Sequence, residues 1–170
     1  MTGPPGPDGA GAVAADDLID AGQVTDLETL TRALVGITLQ SLEVLAGEVS
    51  LPQFRLLLAA SGLGRVPSSR LAEAASVPAS SVTRLADKLE AAGLLIRGTD
   101  DRSRSIVTVE ITGTGRALVA RVVARRHQLL AAVLARMAPA ERTAVAEAAA
   151  RFAELAAGAA DRAPAGPLPL

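Results

Sequence analysis

Ser80, Ser81, Thr83, Arg84 and Lys88 form a run of short hydroxyls interleaved with a guanidinium and an ammonium. Those groups donate hydrogen bonds to base edges and phosphates in a duplex groove, and one arginine can donate two bonds to a single guanine. A second run, Asp100, Asp101, Arg102 and Arg104, sets two arginines in a polar stretch where either carboxylate can brace a guanidinium. Arginines on such a stretch suit a narrow A·T-rich minor groove, where negative potential concentrates.

Other chemistries lack their residues. Cysteine is absent, which removes disulfides, thiolate metal sites and peroxide sensing through a sulfenic acid. His127 is the single histidine and reads as a surface or helix-packing residue, so neither a zinc site nor any other metal site is expected. There is no Gly-rich phosphate loop in a strand–turn–helix setting and no Ser–His–Asp set in a convincing context, so neither an enzyme nor a cofactor is expected. The formal net charge of −1 carries no global polyanion signal, so the placement of charges has to. From Arg65 to Arg104 there are seven basic residues, Arg65, Arg70, Arg84, Lys88, Arg97, Arg102 and Arg104. Five acidic ones oppose them: Glu73, Asp87, Glu90, Asp100 and Asp101.

The elements that must hold these runs follow from period and punctuation. Residues 1–24 and 159–170 are Gly-, Pro- and Ala-rich and read as disordered tails, with no basic and apolar leader after Met1. No apolar stretch is long enough to span a bilayer, so a cytoplasmic protein without membrane contact is expected. Thr25 and Glu28 read as a capping box opening a first helix, within residues 25–51, whose apolar stripe is too wide for one contact. Pro52 opens a second helix ending near Gly62, and a third covers Ser68–Ala75. A fourth follows Val77-Pro78 and ends before Gly93, with Val82, Leu85 and Leu89 inward and the polar run outward.

The period then changes to two: Leu94–Arg97 and Val107–Ile111 read as a hairpin around the Asp100–Arg104 stretch. Thr112 caps a long helix that Pro139 separates from a last one. The fold class is therefore mainly α with a small β-hairpin wing: a winged helix-turn-helix lobe over 52–111, flanked by long helices at 25–51 and 112–158. In that setting Ser68 and Arg70, at the head of the third helix, join the candidate DNA contacts. The polar face of the fourth helix, taken alone, reads more readily as a solvated surface, and the hairpin after it turns the balance to the DNA reading.

Ser80-Ser-Val-Thr-Arg-Leu85, Leu89-Glu-Ala-Ala-Gly-Leu94, Asp100-x-Arg102-x-Arg104 and Ile111-Thr112-x-x-Gly115-Arg116 resemble the MarR family, over roughly residues 25–157. Ser103 and Ser105 depart from the Asp and Arg that members often carry. The resemblance implies a homodimer whose first and last two helices are the dimerisation elements. Two lobes would then read a pseudopalindromic operator in double-stranded DNA, with half-sites about one helical turn apart. It also implies a repressor released by a small phenolic or anionic ligand, bound between the dimerisation helices and the DNA-binding lobe, with Arg55 as a candidate contact. The rival reading is a helical protein-interaction module or antirepressor that keeps the winged-helix shape without useful DNA affinity.

Overall fold

The computed structural model describes residues 20–99 and 106–160. Of the tails expected at 1–24 and 159–170, residues 1–19 and 161–170 lie outside the described residues, as do the wing residues Asp100, Asp101, Arg102 and Arg104, while 21–24 and 159–160 are helical, as parts of α1 and α6 rather than disordered. The element order is α1 (Ala21–Leu42), a 3-10 turn (Glu43–Leu45), α2 (Leu51–Leu63), β1 (Val66–Pro67), α3 (Ser68–Ala75), α4 (Ala79–Ala91), β2 (Leu95–Thr99), β3 (Val107–Ile111), α5 (Gly113–Leu134) and α6 (Pro139–Ala160). The chain divides into two units between Gly36 and Ile37, inside α1.

In the first unit the helix begins four residues earlier than the Thr25 box implies. Asp20 and Gln23 form the cap instead. Asp20 Oδ1 accepts from the Gly22 amide at 3.0 Å, and the Asp20 amide donates to Gln23 Oε1 at 3.3 Å. Thr25 therefore sits inside the helix, its hydroxyl donating to the Ala21 carbonyl at 3.0 Å, while Glu28 pairs with Arg32 at 2.8 Å. The Asp20 cap, which the sequence reading did not single out, sets the start of the helix at Ala21.

The second unit holds the core. α2 contributes Phe54, Leu56 and Leu57, α3 contributes Leu71, and α4 contributes Val82, Ala86 and Leu89, all buried. Each fully buried leucine contributes about 1.5–3 kcal/mol through the apolar surface it removes from water. On α4 the inward stripe runs 82, 86, 89, with Leu85 only half-buried, because Ala86 lets the helix lie close to its neighbours. Ser76 makes the turn between α3 and α4 in the left-handed region (φ 50°), where glycine is the commoner residue.

The sheet is antiparallel, ordered β1-β3-β2, with Val66 opposite Val109 and Leu95 opposite Ile111. β1 escaped the sequence reading, since two residues, one a proline, give no period. Gly93 closes α4 at φ +70°, with the Leu94 amide donating to the Leu89 carbonyl at 2.8 Å. Thr112 then joins the base of the wing to α5. Its hydroxyl donates to the Gly93 carbonyl at 2.8 Å and accepts from the Gly115 amide at 3.0 Å. At Gly115 a Cβ would collide with the Leu94 carbonyl oxygen and lie 2.7 Å from Ile111 Cγ1, so only glycine admits this approach. Further along α5, Arg121 reaches the turn before α2, donating to Glu48 and to the Val44 carbonyl, each at 2.7 Å. The Arg121 guanidinium, through its hydrogen bond, holds the Glu48 carboxyl below the ordinary carboxylate range.

Candidate nucleic-acid interface

The side chains that would meet a duplex stand on α3, α4 and the sheet. α4 opens directly after Pro78, and Ser80, Thr83, Arg84, Asp87 and Lys88 are exposed along it, with Ser81 half-buried. Ser68 opens α3 with its hydroxyl donating to the Val107 carbonyl at 3.1 Å, which ties the helix-turn-helix to the hairpin. Arg70 is exposed and pairs with Glu73 at 3.0 Å, one turn on. Such a surface pair holds little energy and leaves the guanidinium available to a phosphate.

A residue counted only as charge in the sequence organises the electrostatics. Arg97, on β2, sends its guanidinium across to α4, where Nη2 donates to the Thr83 carbonyl at 2.8 Å. Nη1 meets Asp87 at 2.5 Å, Nε lies 3.6 Å from Glu90, and the Arg97 amide donates to Glu90 Oε1 at 3.2 Å. Both carboxylates of the fourth helix are thereby compensated from the wing. Arg84 and Lys88 have no hydrogen-bond or ion-pair partner among the described residues, so they present the uncompensated positive charge of this helix. Asp87 and Glu90 at i, i+3 on α4 were the available signal for a partner cation.

Two hollows border the helix. One, of about 310 Å³, lies between the start of α3, the face of α4 around Thr83, and Arg97 and Val107 of the wing. The other, of about 330 Å³, is lined by Arg55 from α2, Ser76 and Ser81 around the turn, and Arg84 from α4. The structure thus brings together Arg55 and Arg84, which the sequence assigned to different tasks. Among the described residues no group of three or more His, Cys, Asp or Glu gathers to hold a metal. Among them, too, no helix is long and apolar enough to cross a membrane.

Three helices sharing one core, a three-stranded antiparallel sheet and the exposed Arg84 and Lys88 on the third of those helices define a winged helix-turn-helix protein of the DNA-binding kind. The MarR family model matches residues 49–107. Among solved structures, the chain is 32% identical to RV1404 from Mycobacterium tuberculosis, with a TM-score of 0.72, covering 80% of this chain and 94% of that one. It is 25% identical to Bordetella bronchiseptica BpsR, whose DNA binding is regulated by 6-hydroxynicotinic acid, at a TM-score of 0.51 over 79% of this chain and 93% of that one. A MarR family protein from Bacillus stearothermophilus shares the fold, at 22% identity and a TM-score of 0.70, covering 82% of this chain and 99% of that one. No curated protein matches the chain. The chain belongs to the MarR family of winged-helix transcriptional regulators.

Proposed function

We propose that this regulator is a sequence-specific repressor that binds a pseudopalindromic operator as a homodimer and is released by a small anionic or phenolic ligand. The observation that carries the reading is the compensation of Asp87 and Glu90 by Arg97, which leaves Arg84 and Lys88 as the exposed cations of α4. In this reading Arg84 contacts a base, Ser80, Ser81 and Thr83 reach base edges or phosphate, and Lys88, Ser68 and Arg70 hold the backbone. Arg102 and Arg104 enter the adjacent minor groove, braced by Asp100 or Asp101. The lobe at 52–111 does the reading, and the helices at 25–51 and 112–158 hold the second copy.

The ligand reading draws on the hollow shared by Arg55 and Arg84, which is lined by residues of the 52–111 lobe and not set between that lobe and the long flanking helices. Two guanidiniums and two hydroxyls suit a carboxylate or phenolate, and a ligand held there would engage Arg84 and withdraw it from DNA. The control of BpsR by 6-hydroxynicotinic acid supports the same logic for a relative.

The test is fluorescence anisotropy on duplexes from the gene's own upstream region and on random duplexes. Arg84→Ala is expected to cost on the order of 1–3 kcal/mol on the preferred duplex and less on random DNA. Equal losses would make Arg84 a phosphate contact, and no binding by the unsubstituted chain would favour the protein-interaction reading. With a panel of small aromatic carboxylates added, release of the operator is expected, and Arg55→Ala should raise the concentration needed for half release.

A further inference from the structure

Arg65 stands immediately before β1, and its side chain reaches the two strands of the hairpin. Nη2 donates to the Thr99 carbonyl at 2.8 Å, and Nε donates to Thr108 Oγ1 at 3.2 Å. The acceptors belong to different strands, Thr99 ending β2 and Thr108 lying within β3. Thr108 is 4% exposed, so its hydroxyl has little access to water as an alternative partner. Gly98 lies opposite Thr108 in the register, and a Cβ there would come 2.9 Å from Arg65 Nη2 and 3.3 Å from Thr108 Oγ1. No carboxylate pairs with Arg65 among the described residues, so its planar fork is committed to two neutral acceptors.

We propose that Arg65 is a positioning residue for DNA binding, a clasp across the loop end of the wing that occupies the space left by the missing side chain of Gly98. The proposal rests on the DNA-binding reading given above. Two strands of five residues each are marginal by themselves, and here they end where the polar segment with Arg102 and Arg104 begins. A hairpin fixed before the duplex arrives avoids the ordering cost that a loose one meets on binding. Charged donors also make stronger hydrogen bonds than neutral ones, which suits a guanidinium to this task.

The experiment compares R65A, R65K, G98A and the R65A/G98A double variant. Affinity is read by anisotropy on the preferred upstream duplex, and exchange of the amides at position 98 and Thr108, which face each other across the two strands, is followed in the free protein. R65A and G98A are each expected to weaken binding by about tenfold and to speed exchange at both amides by a similar factor. The double variant should match the singles, since the Cβ and the guanidinium compete for one space and removing Arg65 makes Gly98→Ala harmless. R65K keeps the charge and lacks the fork, and should fall with R65A. Wild-type affinity in R65K, additive losses in the double variant, or unchanged amide exchange would each overturn the clasp. If the unsubstituted chain binds no duplex, the DNA-binding reading falls, and with it the role in DNA binding, while the exchange rates still decide whether the clasp holds the wing.

Discussion

Arg97 shows how little of a helix's electrostatics can be read from a charge count. Its guanidinium meets Asp87 and Glu90 and also caps the Thr83 carbonyl, so one residue of the wing sets the sign of the helix beside it. Replacing Arg97 by alanine leaves two carboxylates facing the phosphates, and like-charge approach is costly. The expected outcome is a loss of affinity of about tenfold or more on both specific and random duplexes. Adding Asp87→Asn and Glu90→Gln to Arg97→Ala should restore part of that loss. Anisotropy at several salt concentrations checks both statements, and a triple variant no tighter than the single one would assign the loss to displaced geometry instead. Ser80, Ser81, Thr83, Arg84 and Lys88 were legible as a group because one helical period displays them. Arg65 and Arg97 were not, since their acceptors lie on other elements and the Arg65 contacts span 34 and 43 residues of sequence.

At the level of elements, the helices and the hairpin were legible because each has its own hydrophobic period and its own stop residue. Ser68–Ala75 coincides with α3, and Val107–Ile111 with β3. The strand at Val66–Pro67 was hidden, because its identity lies in its partner Val109 and Thr108 and in no local pattern. The start of α1 lies before the expected Thr25 box because Asp20 and Gln23 cap the helix and the Thr25 hydroxyl bonds back to the Ala21 carbonyl. The junction around Thr112 is the most constrained of these elements. Gly115→Ala forces a methyl group toward the Leu94 carbonyl and Ile111, in a place where backbone must move to make room. A destabilisation of about 1–3 kcal/mol is expected, read as a lower midpoint in urea unfolding. Thr114→Ala, at an exposed position one residue away, should change the midpoint little and serves as the control.

For the whole molecule, the surface left uncovered is as informative as the core. α6 exposes Phe152 and Leu155 at 57% and 58%, and within α1 Leu27, Leu30 and Leu34 are also exposed. Large apolar side chains repeated along a helix are rarely left to water, and the homodimer proposed above would cover these stripes. Phe152→Glu is expected to shift the sedimentation coefficient from dimer to monomer, and to weaken the preferred duplex far more than a random one, since two linked lobes gain from simultaneous engagement. An unchanged sedimentation coefficient would place the contact elsewhere. Lys88 carries a further consequence. It is the chain's single lysine and lies exposed on α4, so apart from the amino terminus there is one amine per copy for a reagent to find. Reductive methylation followed by intact-mass spectrometry therefore becomes a footprint of one spot, and slower labelling when a duplex is added would reveal contact without any substitution in the protein.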